Sequence, residues 1–333
     1  MIRRSVLSRL AVLAAVIAAA APAAGQTAAA AGTGYPDRPV RLVIGQAAGG
    51  AVDTIARLVA ERLGAVFGQP VVVDNRPGAG GMIAAESVAR SAPDGYTLGL
   101  LDVGALAVNP VLQKRVAYDV SKDFTYVGTA ARIPLVLVAH PSVKPSTVDE
   151  LTRYSKAHPS QLSYASAGVG SPPHMAFEAY KQRSGAPVAH VAYRGGAPAL
   201  ADVVAGHVQL TFIDTNLGSQ YAKNGRVKAI AVATSERAPV MPDVPTFEES
   251  GLKGFEFAPW VGVVGPAGMP AQAVARLAAA LAGVLAEPET TSRITGIGMV
   301  PFHGTGSDFA ALVQRELAGY RTLVREQNIK LED

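Results

Sequence analysis

Four times along this chain an apolar strand-like run ends, a glycine-rich turn follows, and an amphipathic helical stretch begins. The turns read QAAGGAVD (46–53), NRPGAGG (75–81), SAGVGSPPH (166–174) and YRGGAPA (193–199). Strands alternating with helices specify an α/β architecture built on mostly parallel sheets. In such sheets the turns after the strands gather at one edge, where ligands bind. The first turn of each following helix adds unpaired N–H groups and a partial positive charge, which suit an anion. Glycine leaves that backbone open to close approach. One such turn is a connection; four of them, two in each half of the chain, predict a site for an anion with two anionic ends.

The rest of the pattern agrees. Apolar runs predict strands at 41–45, 71–73, 97–101, 124–128, 135–139, 162–165, 188–192, 208–213, 227–233 and 261–264, with ARIP (131–134) separating the fourth from the fifth. Ile55, Leu58, Val59, Leu63, Val66 and Phe67 recur at helical spacing, and late helices are predicted at 270–286 and 307–327. At 333 residues the chain has room for two domains, each able to bury a core. No fixed-period repeat appears.

In order and spacing, YPDRPVRLVI, AAGGAVDTIAR, VVVDNRPGAGG, VARSAPDGYTL, NPVL, SAGVGSPPH, HVAYRGGAPALADVVAGHVQLTFID, AIAVATSER, DVPTFEESG and GPAGMP resemble one family. It is the Bug-type substrate-binding receptors of tripartite tricarboxylate transporters. The resemblance covers essentially the whole chain after its first 34 residues. It implies a two-lobed, type II periplasmic-binding fold, each lobe a mostly parallel sheet flanked by helices, joined by a hinge. Lobe one is expected at 36–132 and 257–333, and lobe two at 133–256. The implied role is capture of a small organic acid or amino-acid-like ligand and its delivery to a membrane permease, with no cofactor and no catalysis. The implied contacts lie on Ala48, Gly49 and Gly50; on Gly78, Ala79, Gly80 and Gly81; on Ser166, Gly168, Ser171 and His174; and on Tyr193, Arg194, Gly195 and Gly196. These coincide with the four helix starts.

Two positions depart from the family pattern. Gly45-Gln46 stands where a proline–aromatic pair is usual, and Asp102 to Leu106 replaces small hydroxyl residues. Gln46 therefore suggests a more polar or bulkier partner. Asp53, four residues before Arg57, either complements the helix dipole and pairs with that arginine or orders the ligand loop. Asp214 ends a strand and is a candidate contact, as is Asp102. Carboxylates beside an anion site predict a ligand that also carries a donor such as a hydroxyl or an ammonium. His174 and Glu178 share a helix face but lack a third metal ligand, so helix-start hydrogen bonding is the better reading of His174. Trp260, the single tryptophan, reads as core or hinge lining. No G-x-S-x-G nucleophile elbow exists, which counts against an exported α/β hydrolase. A ligand sensor docking to a signalling partner is the other alternative.

Arg3, Arg4 and Arg9 precede an apolar run at 11–21, and Ala21-Pro22-Ala23 fits a small-x-small cleavage site. We read 1–25 as a cleaved export signal, by the general secretory or the twin-arginine route, and 26–35 as a linker. The chain carries 30 basic and 26 acidic side chains, and loss of the leader leaves 27 and 26. That near-neutral balance, without a lysine- or arginine-rich run, argues against nucleic-acid binding. Zero cysteines exclude disulfides, thiolate metal sites and a lipidated anchor. A monomeric, freely diffusing periplasmic protein is the expectation.

Overall fold

The computed structural model describes residues 34–193 and 195–329, so the leader, the linker up to Thr33 and Arg194 lie outside the described residues. From Pro36 onward the chain makes one compact unit. In chain order its strands are β1 (Val40–Ile44), β2 (Val71–Asn75), β3 (Thr97–Asp102), β4 (Phe124–Arg132), β5 (Leu135–Ala139), β6 (Ser163–Ser166), β7 (Ala189–Ala192), β8 (Leu210–Asp214), β9 (Lys228–Val232), β10 (Trp260–Pro266) and β11 (Val300–Pro301). Its helices are α1 (Ala51–Phe67), α2 (Met82–Ala89), α3 (Asn109–Leu112), α4 (Val148–Ala157), α5 (Pro172–Ser184), α6 (Gly196–Ala205), α7 (Thr215–Lys223), α8 (Ala271–Ala286), α9 (Pro288–Gly296) and α10 (Gly306–Glu326).

Two sheets result, ordered β11-β4-β10-β3-β1-β2 and β7-β6-β8-β5-β9. In the first, β1 pairs in parallel with β2 and β3, and β10 runs antiparallel between β3 and β4. In the second, β6 pairs in parallel with β7 and β8, and β5 runs antiparallel between β8 and β9. Each sheet with its helices is a lobe; both lobes share an order of five strands with one inserted against the grain, and the first adds β11 antiparallel beside β4. Chain crossings supply those inserted strands: β5 follows β4 directly, and β10 returns after β9. Ile133 N–H donates to the Pro259 carbonyl at 2.7 Å, tying the two crossings together.

Burial on both faces explains the composition of the central strands. All five side chains of β5 and all seven residues of β10 are buried. The second lobe fills its core with aromatic rings: Tyr164 stacks on Phe177 with centroids 3.9 Å apart, and Phe212, Phe247 and Phe255 continue the cluster. Met175, on α5 of the second lobe, is fully buried in the first lobe's core cluster. No helix among the described residues is long and apolar enough to cross a membrane.

The structure corrects one reading of the sequence and adds two elements that the sequence analysis did not assign. β4 runs through Arg132, so Ala131 and Arg132 belong to the strand and only Ile133 and Pro134 separate it from β5. Residues 104–108 form a π-helix that continues into α3, with all five buried. Its wider hydrogen-bond register leaves no 3.6-residue signature in so short a run. Finally, α9 follows α8 after a break at Glu287, with Pro288 in the first turn, where its missing N–H costs little.

Candidate functional site

Strand register brings the glycine turns together. Ile44 pairs with both Asn75 and Leu100, so the turns after β1 and β2 and the end of β3 leave the first sheet at one edge. Ser166 pairs with Ala192, so the turns after β6 and β7 leave the second sheet side by side.

In the first lobe these turns are knit by buried side chains. Asp53 is 3% exposed and accepts from the Gly49 N–H, from Arg57 Nε and from Asn75 Nδ2, each at 2.9 Å. The two readings of Asp53 are therefore one: its pair with Arg57 also orders the glycine loop. Hydrogen bonding by Arg57 leads the effects that hold its carboxyl at about 2, against an ordinary 3.8. Its ionised form thus stabilises the fold fully above the ordinary value, and that contribution is lost as pH falls through about 2. Asp53→Asn is expected to lower Tm at neutral pH and to flatten the loss of Tm between pH 4 and pH 2. Parallel acid profiles for the two proteins would contradict this assignment.

Gly45 and Gly81 meet backbone to backbone. A Cβ on Gly45 would lie 2.6 Å from Gly81 Cα. Gly81, at φ 88°, in turn faces Ala105, whose Cβ would be 3.2 Å from one added there. Gly80, at φ 61°, has the Asn109 side chain over it, and Asn109 Nδ2 donates to the Gly80 carbonyl at 2.8 Å. Gly78 and Ala79 complete this turn, Ala79 at φ 47°. Asn75 Nδ2 also donates to the Gln46 carbonyl at 3.1 Å.

Gln46 and Asp102, read separately from the sequence, are a pair. Gln46 Nε2 donates to Asp102 Oδ2 at 2.8 Å, and the Ala105 N–H donates to Asp102 Oδ1 at 3.0 Å. Asp102 is buried, and desolvation pushes its carboxyl above the ordinary range against those donors. Both oxygens of Asp102 are thus engaged within its own lobe.

The second lobe repeats the scheme with different residues. The Ser166 hydroxyl lies 2.7 Å from His190 Nε2 and accepts from the Gly168 N–H at 3.2 Å. Tyr193 N–H donates to the Ser166 carbonyl at 3.0 Å, while its hydroxyl donates to Asp202 at 2.6 Å. His174 is buried and its Nδ1 accepts from the Gly170 N–H at 3.1 Å, the helix-start bond read from the sequence. Desolvation, followed by the charges of His190 and Lys181, lowers His174 to about 3, so it stays neutral near pH 7. Glu178 accepts from Tyr164 Oη at 2.5 Å and from Lys181 Nζ at 2.7 Å. The Ser171 hydroxyl, at the start of α5, is buried without a partner among the described residues. Asp214 caps α7 by accepting from the Leu217 N–H at 3.0 Å. Trp260 is core, buried edge-on to Phe309 at 5.3 Å.

The lobes touch beside these turns. A Cβ on Gly170 would lie 2.7 Å from Leu112 and 3.7 Å from Asn109 Oδ1, so the turn after β6 rests on α3. Elsewhere Thr215 Oγ1 donates to the Gly298 carbonyl at 2.9 Å. Asn75, Asn109 and His190 are the organising residues that sequence reasoning missed. Asn75 and Asn109 each open a recognised string, NRPGAGG and NPVL, and that was the available signal.

Residues 55–329 match the family model described as Tripartite tricarboxylate transporter family receptor. The chain belongs to this family. Protein BugT of Bordetella pertussis is 32% identical over 299 residues, covering 90% of this chain and 92% of the relative. A solved structure described as R. palustris Rpa4515 with adipate is 34% identical and superposes with a TM-score of 0.82, covering 90% of this chain and all of that one. MatC (Rpa3494) from Rhodopseudomonas palustris with bound malate is also 34% identical, with a TM-score of 0.77 over 87% of this chain and all of its own. The family resemblance and the two-lobed fold expected from the sequence are thus both met. This tripartite tricarboxylate transporter receptor is a solute-binding protein and not an enzyme.

Proposed function

We propose that this receptor closes its two lobes around a small carboxylate held by backbone N–H groups at the helix starts, and passes it to the membrane permease of a tripartite tricarboxylate transporter. The observation that carries the reading is glycine where the fold does not need it. Gly50 sits at φ −82°, and a Cβ there would meet only the Ala47 carbonyl, at 3.6 Å. A Cβ on Gly196, the first residue of α6, would meet nothing within 4 Å. Neither strain nor packing excludes a side chain at these two positions, one in each lobe. Open approach to the helix-start N–H groups by an anion explains both. The adipate and malate bound by the two R. palustris relatives support a ligand of that class.

Lobe boundaries at 132–133 and 256–257 suit a hinge at the two chain crossings, with ligand favouring the closed state. The turns bearing Gln46 to Gly50, Gly78 to Gly81, Ser166 to His174 and Tyr193 to Gly196 then form the walls, Arg194 adding a positive charge. Asp53 acts behind the wall by positioning it. Export to the periplasm is our reading of the arginine-led leader, and the intact mass of exported protein tests it: a retained Arg3-Arg4 segment contradicts cleavage.

A thermal-shift screen over organic acids tests the ligand class. A ligand at about 100 times its Kd stabilises by about 2.7 kcal/mol. At least one small carboxylate is expected to raise Tm, and a flat response across mono-, di- and tricarboxylates would overturn the reading.

A further inference from the structure

We infer that Gln46 is the specificity-determining residue of the cleft, presenting its amide oxygen to the ligand and selecting acids that carry a hydroxyl or ammonium donor beside the carboxylate. The inference rests on the carboxylate reading above and names a narrower ligand class for the same site. Three observations carry it. Gln46 is pinned at two points: Asn75 Nδ2 holds its carbonyl at 3.1 Å, and its own Nε2 donates to Asp102 at 2.8 Å. Buried Asp102 meets the amide at its nitrogen end, taking Nε2 on Oδ2 while the Ala105 N–H occupies Oδ1. The amide oxygen then has no hydrogen-bond partner among the described residues and is not buried.

Gln46 stands four residues before Gly50, the helix start open to an anion. A plain diacid seated there brings only acceptors toward an acceptor. Closure of the lobes would strip water from the Gln46 oxygen without replacing its hydrogen bond, which is unfavourable. A hydroxyl or ammonium donor on the ligand removes that penalty. The donor preference first drawn from free carboxylates in the cleft thus has a different origin: Asp102 acts indirectly, by fixing which way the amide faces.

Calorimetric titration of the mature protein with succinate, glutarate and adipate, each against its 2-hydroxy counterpart, tests this. The hydroxy acid of the best-bound pair is expected to bind about tenfold tighter or more. Gln46→Met keeps the side-chain length without the amide and is expected to bring that ratio near one. Asp102→Asn, which lets the amide turn either way, is expected to shrink it. A merely structural role would weaken both members of a pair alike and leave the ratio unchanged. A wild-type ratio near one, or a ratio that survives Gln46→Met, overturns the inference while leaving the carboxylate reading intact. Failure of every acid to bind overturns both.

Discussion

Gly45→Val is expected to weaken ligand binding about 100-fold and to lower Tm. The new Cβ would fall 2.6 Å from Gly81 Cα and 3.3 Å from its carbonyl oxygen, and both obstacles are backbone. Gly81 is crowded in turn, since a Cβ added there would lie 3.2 Å from the Ala105 Cβ. The turn after β2 must therefore move away from the turn after β1. Overpacking of this kind costs about 1–3 kcal/mol of stability. Loss of one cradle wall removes ligand contacts as well, and each 1.4 kcal/mol lost is about tenfold in affinity. Wild-type affinity and Tm in Gly45→Val would show that the two turns do not need this contact.

Phe309→Ala is expected to be the most damaging core substitution, at about 3–5 kcal/mol. The ring is fully buried, meets Tyr126 edge-on at 5.1 Å and Trp260 at 5.3 Å, and packs against β10 at Gly262. A Cβ on Gly262 would stand 2.4 Å from the ring, so the strand and the ring are in direct contact. Truncation leaves a cavity where α10 joins the first sheet to the returning crossing. Urea unfolding should show the lowered midpoint, and emission from the single tryptophan should shift to the red. A midpoint within about 1 kcal/mol of wild type would contradict the packing described.

What could be read in the sequence was local. Alternation of β-branched runs with glycine turns and helical periodicity announced an α/β chain, and the order of ten strings announced the family. Helix starts at Gly50 and Gly196 were visible because each element signals its own beginning. The contacts that shape the cleft join distant residues, and no local pattern carries them. Gly45 touches Gly81 across 36 positions, and Gln46 pairs with Asp102 across 56. Read one at a time, Gln46 and Asp102 suggested two polar ligand contacts; paired, they leave one amide oxygen open. Asp53 shows the reverse case, where two competing readings merge because Oδ2 accepts from both Arg57 Nε and the Gly49 N–H. The π-helix at 104–108 was invisible because its register belongs to neither a strand nor an α-helix.

The most direct test of carboxylate capture through open backbone is calorimetric titration of Gly50→Val and Gly196→Val with the tightest-binding acid. Neither position is closed to a side chain at its base, since an added Cβ meets no described atom closer than 3.6 Å. Tm in the absence of ligand is therefore expected to stay at the wild-type value while affinity falls tenfold or more in each variant. Wild-type affinity in both variants would contradict the account and reduce these helix starts to ordinary connections.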